Sequence, residues 1–188
     1  MGGLIEKIRL YGLSAAGGRD KLFGEIWERY GRKVLFFIRE VTGRNAGHAE
    51  AEDLFQEVML KVYEKLDLFN PAYALSTWIY TIARNHCMDY FRKRKVVHGP
   101  LDETTEYPDN KSTPEDAAVA GDLFARIGAY LEGLKQTDRE IAYFRFYEEM
   151  KYSEIAQVTG IPEGTIKSKV FELRKKIAGH LEGKDENR

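Results

Sequence analysis

Apolar residues recur at helical spacing along nearly the whole chain, and alternating, strand-like runs are sparse. Leu22, Phe23, Ile26, Trp27, Tyr30, Val34, Phe37, Ile38 and Val41 fall on one face of a first long helix. Leu54, Phe55, Val58, Val62 and Leu66 trace a second, beginning near Ala49, whose N-terminal acids suit the positive end of a helix dipole. The segment from Phe69 to Leu75 breaks the period, and Asn70-Pro71 inside it is a turn signal. Ser76 is placed to cap a third helix, with Trp78, Ile79, Ile82, Ala83, Cys87, Tyr90 and Phe91 along its face.

From Lys95 to Thr113 the chain turns polar and acidic and holds Pro100 and Pro108. Such a composition buries too little apolar surface to order itself, so residues 96–113 are expected to be a flexible linker. Thr113-Pro114-Glu115 resembles a helix start leading into Leu123 to Leu134. Thr137 followed by Glu140 has the form of a capping box opening a helix from Asp138 to Tyr147. The predicted fold class is all-α, with two small helical domains, 20–95 and 114–181, joined by the acidic linker. Tails are expected at 1–19 and 182–188.

The run from Tyr152 to Ile177 is the most specific pattern in the C-terminal domain. Ile155 and Ala156 begin an apolar stripe, Gly160 can take the left-handed backbone that ends a helix, and Pro162 suits the first position of the next. Ile166, Val170, Leu173 and Ile177 then follow at steps of four, three and four. This is a helix-turn-helix whose second helix carries Thr165, Lys167, Ser168, Lys169, Phe171, Glu172 and Lys175 away from the stripe. A helix so presented fits the major groove, where base edges carry a distinguishable donor and acceptor pattern. A plain helical hairpin with a solvated charged face is the competing interpretation.

A net charge of −1 argues against a nucleic-acid protein until its distribution is read. Arg84, Arg92, Lys93, Arg94 and Lys95 cluster against Asp89 alone. Between Val96 and Asp122 seven acids face Lys111. The run from Thr77 to Lys95 thus joins aromatics to cations, the pairing that suits an unpaired strand. Phe69 and Tyr73 in the loop and Tyr80 off the apolar stripe are the stacking candidates, whereas Trp78 and Tyr90 are expected in the core.

Enzymatic chemistry is not expected. His48, Glu50, Glu52, Asp53 and Glu57 crowd one helix start but lack the further ligands a metal site needs, so no metal or cofactor is predicted. No phosphate-cradling glycine loop or nucleophile–base arrangement stands out. Cys87 is the single cysteine and reads as a buried thiol, which excludes an internal disulfide and fits a reducing cytoplasm. No segment approaches the ~20 apolar residues of a membrane span. The N-terminus has neither signal-peptide nor transit-peptide character.

Three stretches together carry a family resemblance: AEDLFQEVMLKVYEKL, FNPAYALSTWIYTIARNHCMDYFRKRK, and LKQTDREIAYFRFYEEMKYSEIAQVTGIPEGTIKSKVFELRKKI. In this order and spacing the chain resembles an extracytoplasmic-function sigma factor. The resemblance implies a subunit that joins bacterial core RNA polymerase, directs it to promoters and helps melt them. It implies that 20–95 is region 2-like, with Asp53, Gln56 and Glu57 docking on the largest polymerase subunit. Phe69 to Leu75 and Asn85 would hold a flipped base of the melted −10 element, at a cost of a few kcal/mol that stacking must offset. Tyr80, Arg84, Asp89, Arg92 and Arg94 would line the adjacent strand. Residues 114–181 would be region 4-like and read the duplex −35 element. An anti-sigma factor is a further implied partner. The extended linker of ~20 residues would span roughly 65 Å between promoter elements.

Two positions depart from that pattern. Leu75 stands where relatives often carry a larger aromatic, and Glu172 where a basic residue is frequent. A carboxylate at 172 cannot bond guanine acceptors but can accept from cytosine N4, so a shifted −35 preference is expected. Two other function classes remain open on sequence: a stand-alone helix-turn-helix regulator with an N-terminal effector or dimerisation domain, and a pure interaction module.

Overall fold

The first long helix, α1, spans Gly18–Thr42 and buries Leu22, Ile26, Val34, Phe37, Ile38 and Val41, the stripe its sequence predicts. The computed structural model describes residues 18–42, 47–98, 128, 130, 131 and 133–185 of the 188-residue chain. Helix α2 covers His48–Glu64. Its first turn is closed by Glu50, whose carboxylate accepts from the Gly47 N–H at 3.1 Å and so satisfies a donor that the helix cannot. Its last turn is closed from α1. Arg19 donates to the Tyr63 carbonyl at 2.8 Å and to the Glu64 carbonyl at 2.8 Å, placing a cation at the negative end of the dipole.

A 3-10 turn, Leu66–Leu68, leads into the loop, and α3 then runs Leu75–His98. Helix α1 packs on both α2 and α3, which also pack on each other. The shared core includes Ile26, Phe37, Val58, Val62, Ile79, Ala83 and Cys87, all at 0% exposure. Each such aliphatic or phenyl side chain contributes about 1.5–3 kcal/mol relative to leaving it in water.

Three expectations for this region are corrected. Ser76 does not cap α3: the helix already includes Leu75, and the Trp78 N–H donates to the Ala74 carbonyl at 3.2 Å. The turn around Asn70, whose Oδ1 accepts from the Ala72 N–H at 2.9 Å, delivers the chain into helix before Ser76 is reached. Tyr80 is not off the buried surface but fully buried, while Trp78 and Tyr90 are only half-buried. Because α3 is covered from two sides, its buried arc is wider than one stripe and takes in Thr77, Tyr80 and His86. Finally α3 continues past Lys95 to His98, and residues 99–113 of the expected linker lie outside the described residues.

The chain divides into two units, Met1–Pro108 and Asp109–Arg188. In the second, α4 spans Gln136–Ala142 and widens into a π-helical turn at Tyr143–Tyr147. Helix α5 covers Tyr152–Thr159 and α6 covers Glu163–Asp185. The capping box expected at Thr137 and Glu140 is absent. Helix α4 begins one residue before Thr137, with Lys135 as N-cap, and Glu140 is turned inward to 1% exposure, where Gln136 Nε2 donates to it at 3.4 Å. The reach-back instead occurs at α5, where Glu154 accepts from the Lys151 N–H at 2.8 Å.

Helix α4 packs on α6, and its π turn on α5, so Ile141, Ala142, Tyr143 and Phe144 are all buried. The chain leaves the π turn through Glu149 at φ +54°, held by a Met150 N–H bond to the Phe144 carbonyl at 2.9 Å. The helix start expected at Thr113 and most of Leu123 to Leu134 lie outside the described residues. Helix α6 extends past 181 to Asp185. No strand occurs among the described residues, and none of their helices is long and apolar enough to cross a membrane.

Candidate nucleic-acid and partner interface

Three surfaces carry the residues singled out from the sequence, two on the N-terminal unit and one on the C-terminal unit. The first is the outer face of α2. Its inner face buries Ala51, Leu54, Val58 and Val62, which leaves Asp53, Gln56 and Glu57 exposed on the other side. Leu60, one turn beyond Gln56, shares that face and is 57% exposed. Glu57 also looks inward, with Oε2 2.7 Å from His86 Nε2 on α3. The structure brings the three polar residues together and adds Leu60, whose place off the 54–58–62 stripe was the available signal.

The second surface is the loop and the start of α3. Tyr73 is 56% exposed and its backbone N–H donates to the Asn70 carbonyl at 3.1 Å. Phe69 instead turns inward, at 6% exposure, against Trp78 at a ring distance of 5.3 Å. Tyr80 meets Phe37 edge-on at 5.4 Å and offers no free face. Further along α3, Asn85 is exposed and Arg84 half-buried. Arg92 is paired with Asp89 one turn back. Arg94 bonds the Tyr90 hydroxyl at 2.6 Å and reaches Glu50 of α2 at 3.5 Å. Of the stacking candidates, Tyr73 alone keeps an open ring. Phe69 packs under the loop on Trp78, and Tyr80 packs into the core on Phe37.

The third surface is α6. Gly160 ends α5 at φ +73°, a conformation open to glycine at no steric cost, and its N–H donates to the Ala156 carbonyl at 2.8 Å. Pro162 lies just before α6, its carbonyl accepting from the Ile166 N–H at 3.0 Å; it is the N-cap and not the first helical residue. Ile166, Val170, Leu173 and Ile177 are buried as their spacing predicts. Thr165, Lys167, Ser168, Phe171, Glu172 and Lys175 are exposed, with Phe171 at 72%.

Local pairing decides the charge of this face. Lys167 is tied to Glu163 at 2.8 Å, which raises its pKa, first through the hydrogen bond and then through the carboxylate's charge. Lys169 departs from expectation: it is half-buried and its Nζ lies 2.7 Å from Asp138 of α4. The face therefore presents a phenyl ring, a carboxylate and Lys175 around Ser168.

Among the described residues no three His, Cys, Asp or Glu side chains converge as metal ligands. Cys87 is buried and in no disulfide.

The comparisons with known proteins fall on the same two units. Residues 26–96 match the family model for Sigma-70 region 2, and residues 124–177 that for Sigma-70, region 4. The ECF RNA polymerase sigma factor RpoE of Cereibacter sphaeroides is 32% identical over 164 residues, covering 86% of this chain and 87% of the relative. The ECF RNA polymerase sigma factor SigW of Bacillus subtilis is 27% identical over 173 residues, covering 87% and 91%. In fold the chain is similar to the sigma factor RpoE of Bartonella quintana, solved with the anti-sigma factor NepR. That match has a TM-score of 0.63 at 23% identity and covers 86% of this chain and 98% of that one. The two sigma-70 regions in order, together with a relative 32% identical over most of both chains, make this chain a member of the ECF RNA polymerase sigma factors.

Proposed function

We propose that this sigma factor docks on core polymerase through Asp53, Gln56 and Glu57 of α2 and reads the two promoter elements with separate units. Tyr73 and Asn85 would receive an unstacked −10 base, a ring on one side and an amide on the other. Arg84, Asp89, Arg92 and Arg94 would follow the strand, with Phe69 supporting the loop from within and Tyr80 holding α3 on α1. On α6, Thr165, Lys167, Ser168, Phe171, Glu172 and Lys175 would face the −35 major groove, and Lys169 would set the helix in place through Asp138. The protein would act in the cytoplasm, without catalysis of its own, metal or cofactor. An anti-sigma factor would hold it inactive, by analogy with the Bartonella quintana complex.

The observation that carries this reading is the exposed set on α6 coupled, on the same chain, to an exposed acidic face on α2. Transcription in vitro by core polymerase, with and without the protein, tests it. Initiation at a specific set of promoters that depends on the protein is expected. No gain on any cellular promoter, with tight binding of the isolated protein to symmetric duplex sites, would favour a stand-alone regulator instead.

A further inference from the structure

His86 lies in the seam between α2 and α3 at 8% exposure. Its Nδ1 is 2.6 Å from Lys61 Nζ, and its Nε2 is 2.7 Å from Glu57 Oε2. An ammonium has no lone pair, so Lys61 donates, Nδ1 accepts, and the ring proton sits on Nε2 toward Glu57. That N–H is not well aligned with the carboxylate, which makes this the looser of the two contacts. Glu57 and Lys61 are one turn apart on α2 and so straddle the ring.

Glu57 is shared between two environments. One oxygen approaches His86, yet the side chain is 62% exposed on the face proposed to dock polymerase. On α3, His86 directly follows Asn85, the exposed amide proposed to hold a −10 base. Glu57 and Lys61 thus join α2 to α3 at His86, whose backbone neighbour is Asn85.

We infer that His86 is a positioning residue: through Lys61 and Glu57 it fixes α3 against α2, so that a polymerase cation on the outer side of Glu57 is felt at Asn85. This rests on the docking and base-capture reading given above. A cation drawn to the outer carboxylate oxygen leaves the inner one on the imidazole N–H and holds Glu57 in the rotamer that the bridge requires. The charged groups acting on the ring are Lys61 and Glu57 from α2 and Asp89 from α3. Burial, and then the Lys61 charge, lower the ring's pKa against the pull of the two carboxylates and so favour its neutral form. Protonation at Nδ1 would set an N–H against the Lys61 ammonium and open the bridge.

The test uses reconstituted holoenzyme on a duplex promoter selected from a random library by the wild-type holoenzyme. Opening is read as permanganate reactivity of unpaired thymines from neutral pH down through ~6.5 and into the lower range where the buried imidazole takes up its proton. His86→Gln keeps an acceptor for Lys61 and a donor for Glu57 but does not titrate. Wild type is expected to lose opening several-fold on the acid side, while His86→Gln matches it at neutral pH and stays flat. Core affinity, measured separately by fluorescence anisotropy, stays equal for the two. His86→Ala is expected to open poorly at every pH while still binding core.

An identical pH profile for wild type and His86→Gln would overturn the inference, as would full opening by a folded His86→Ala. Should His86→Ala fail to fold, the comparison with His86→Gln decides alone. No opening by wild type at any pH would instead remove the promoter reading on which the inference stands.

Discussion

Lys169 Nζ lies 2.7 Å from Asp138 Oδ1, so a cation expected among the base readers is turned into the body of its own unit. Lys169→Ala should therefore leave the slope of log Kd against log salt unchanged for −35 DNA, because no phosphate contact is lost. Lys175→Ala should lower that slope by about 1. The Lys169 pair is partly exposed, at 34% and 22%, and its loss should cost at most about 1 kcal/mol, read as a small fall in Tm.

Phe171 and Glu172 flank the open side of α6. A phenyl ring fits a thymine methyl and a carboxylate accepts from cytosine N4, with roughly 1–3 kcal/mol of discrimination for a good base contact. Glu172→Arg is expected to move the preferred base toward guanine at one −35 position in a promoter library. An unchanged preference would remove Glu172 from the reading set.

Tyr73 and Tyr80 should separate function from stability. Tyr73→Ala removes an exposed ring and is expected to leave Tm unchanged while weakening melted −10 binding by about 1–3 kcal/mol. Tyr80→Ala removes a fully buried ring packed on Phe37 and should cost about 3–5 kcal/mol in urea unfolding.

Gly160→Ala should destabilise the C-terminal unit by about 1–2 kcal/mol, the cost of a Cβ in left-handed backbone. Beyond its own chain neighbours no atom lies within 4 Å of where that Cβ would stand, so the penalty comes from the local backbone and not from tertiary packing. Gly160→Asn should recover part of it.

Stability should also depend on pH through His86. Its pKa is lowered, first by burial and then by Lys61, so the unfolded chain binds this proton more readily than the folded one. The contribution is complete above the ordinary imidazole value of ~6.5 and is lost as pH falls through the lower folded value. Urea midpoints measured across that window should fall on the acid side for wild type and stay level for His86→Gln.

Much of the fold was legible because its pattern is local. Ile166, Val170, Leu173 and Ile177 face one covering layer, so a single helical period describes them, and Gly160 marks the turn by its own conformational freedom. Helix α3 is covered on two sides, and there the one-stripe rule misplaced Tyr80 and missed His86. The direction of Lys169 depends on Asp138, thirty-one residues earlier, and no local pattern carries that information. The cap assigned to Ser76 failed for a related reason: the Asn70 turn set the entry angle first. On α2 and α6 the exposed residues were legible apart from Lys169, whereas at the loop and α3 the burial of Phe69 and Tyr80 was not.

Both tryptophans of the chain stand beside surfaces of the N-terminal unit. Trp27 is 45% exposed and lies 5.2 Å from Phe55 on α2, while Trp78 lies 5.3 Å from Phe69 under the loop. The unmodified protein thus carries its own optical reporters, one beside α2 and one beneath the loop from Phe69 to Leu75. Residues 109–188 hold no tryptophan, so emission excited selectively at tryptophan would report on the loop from Phe69 to Leu75 without a contribution from the helix-turn-helix.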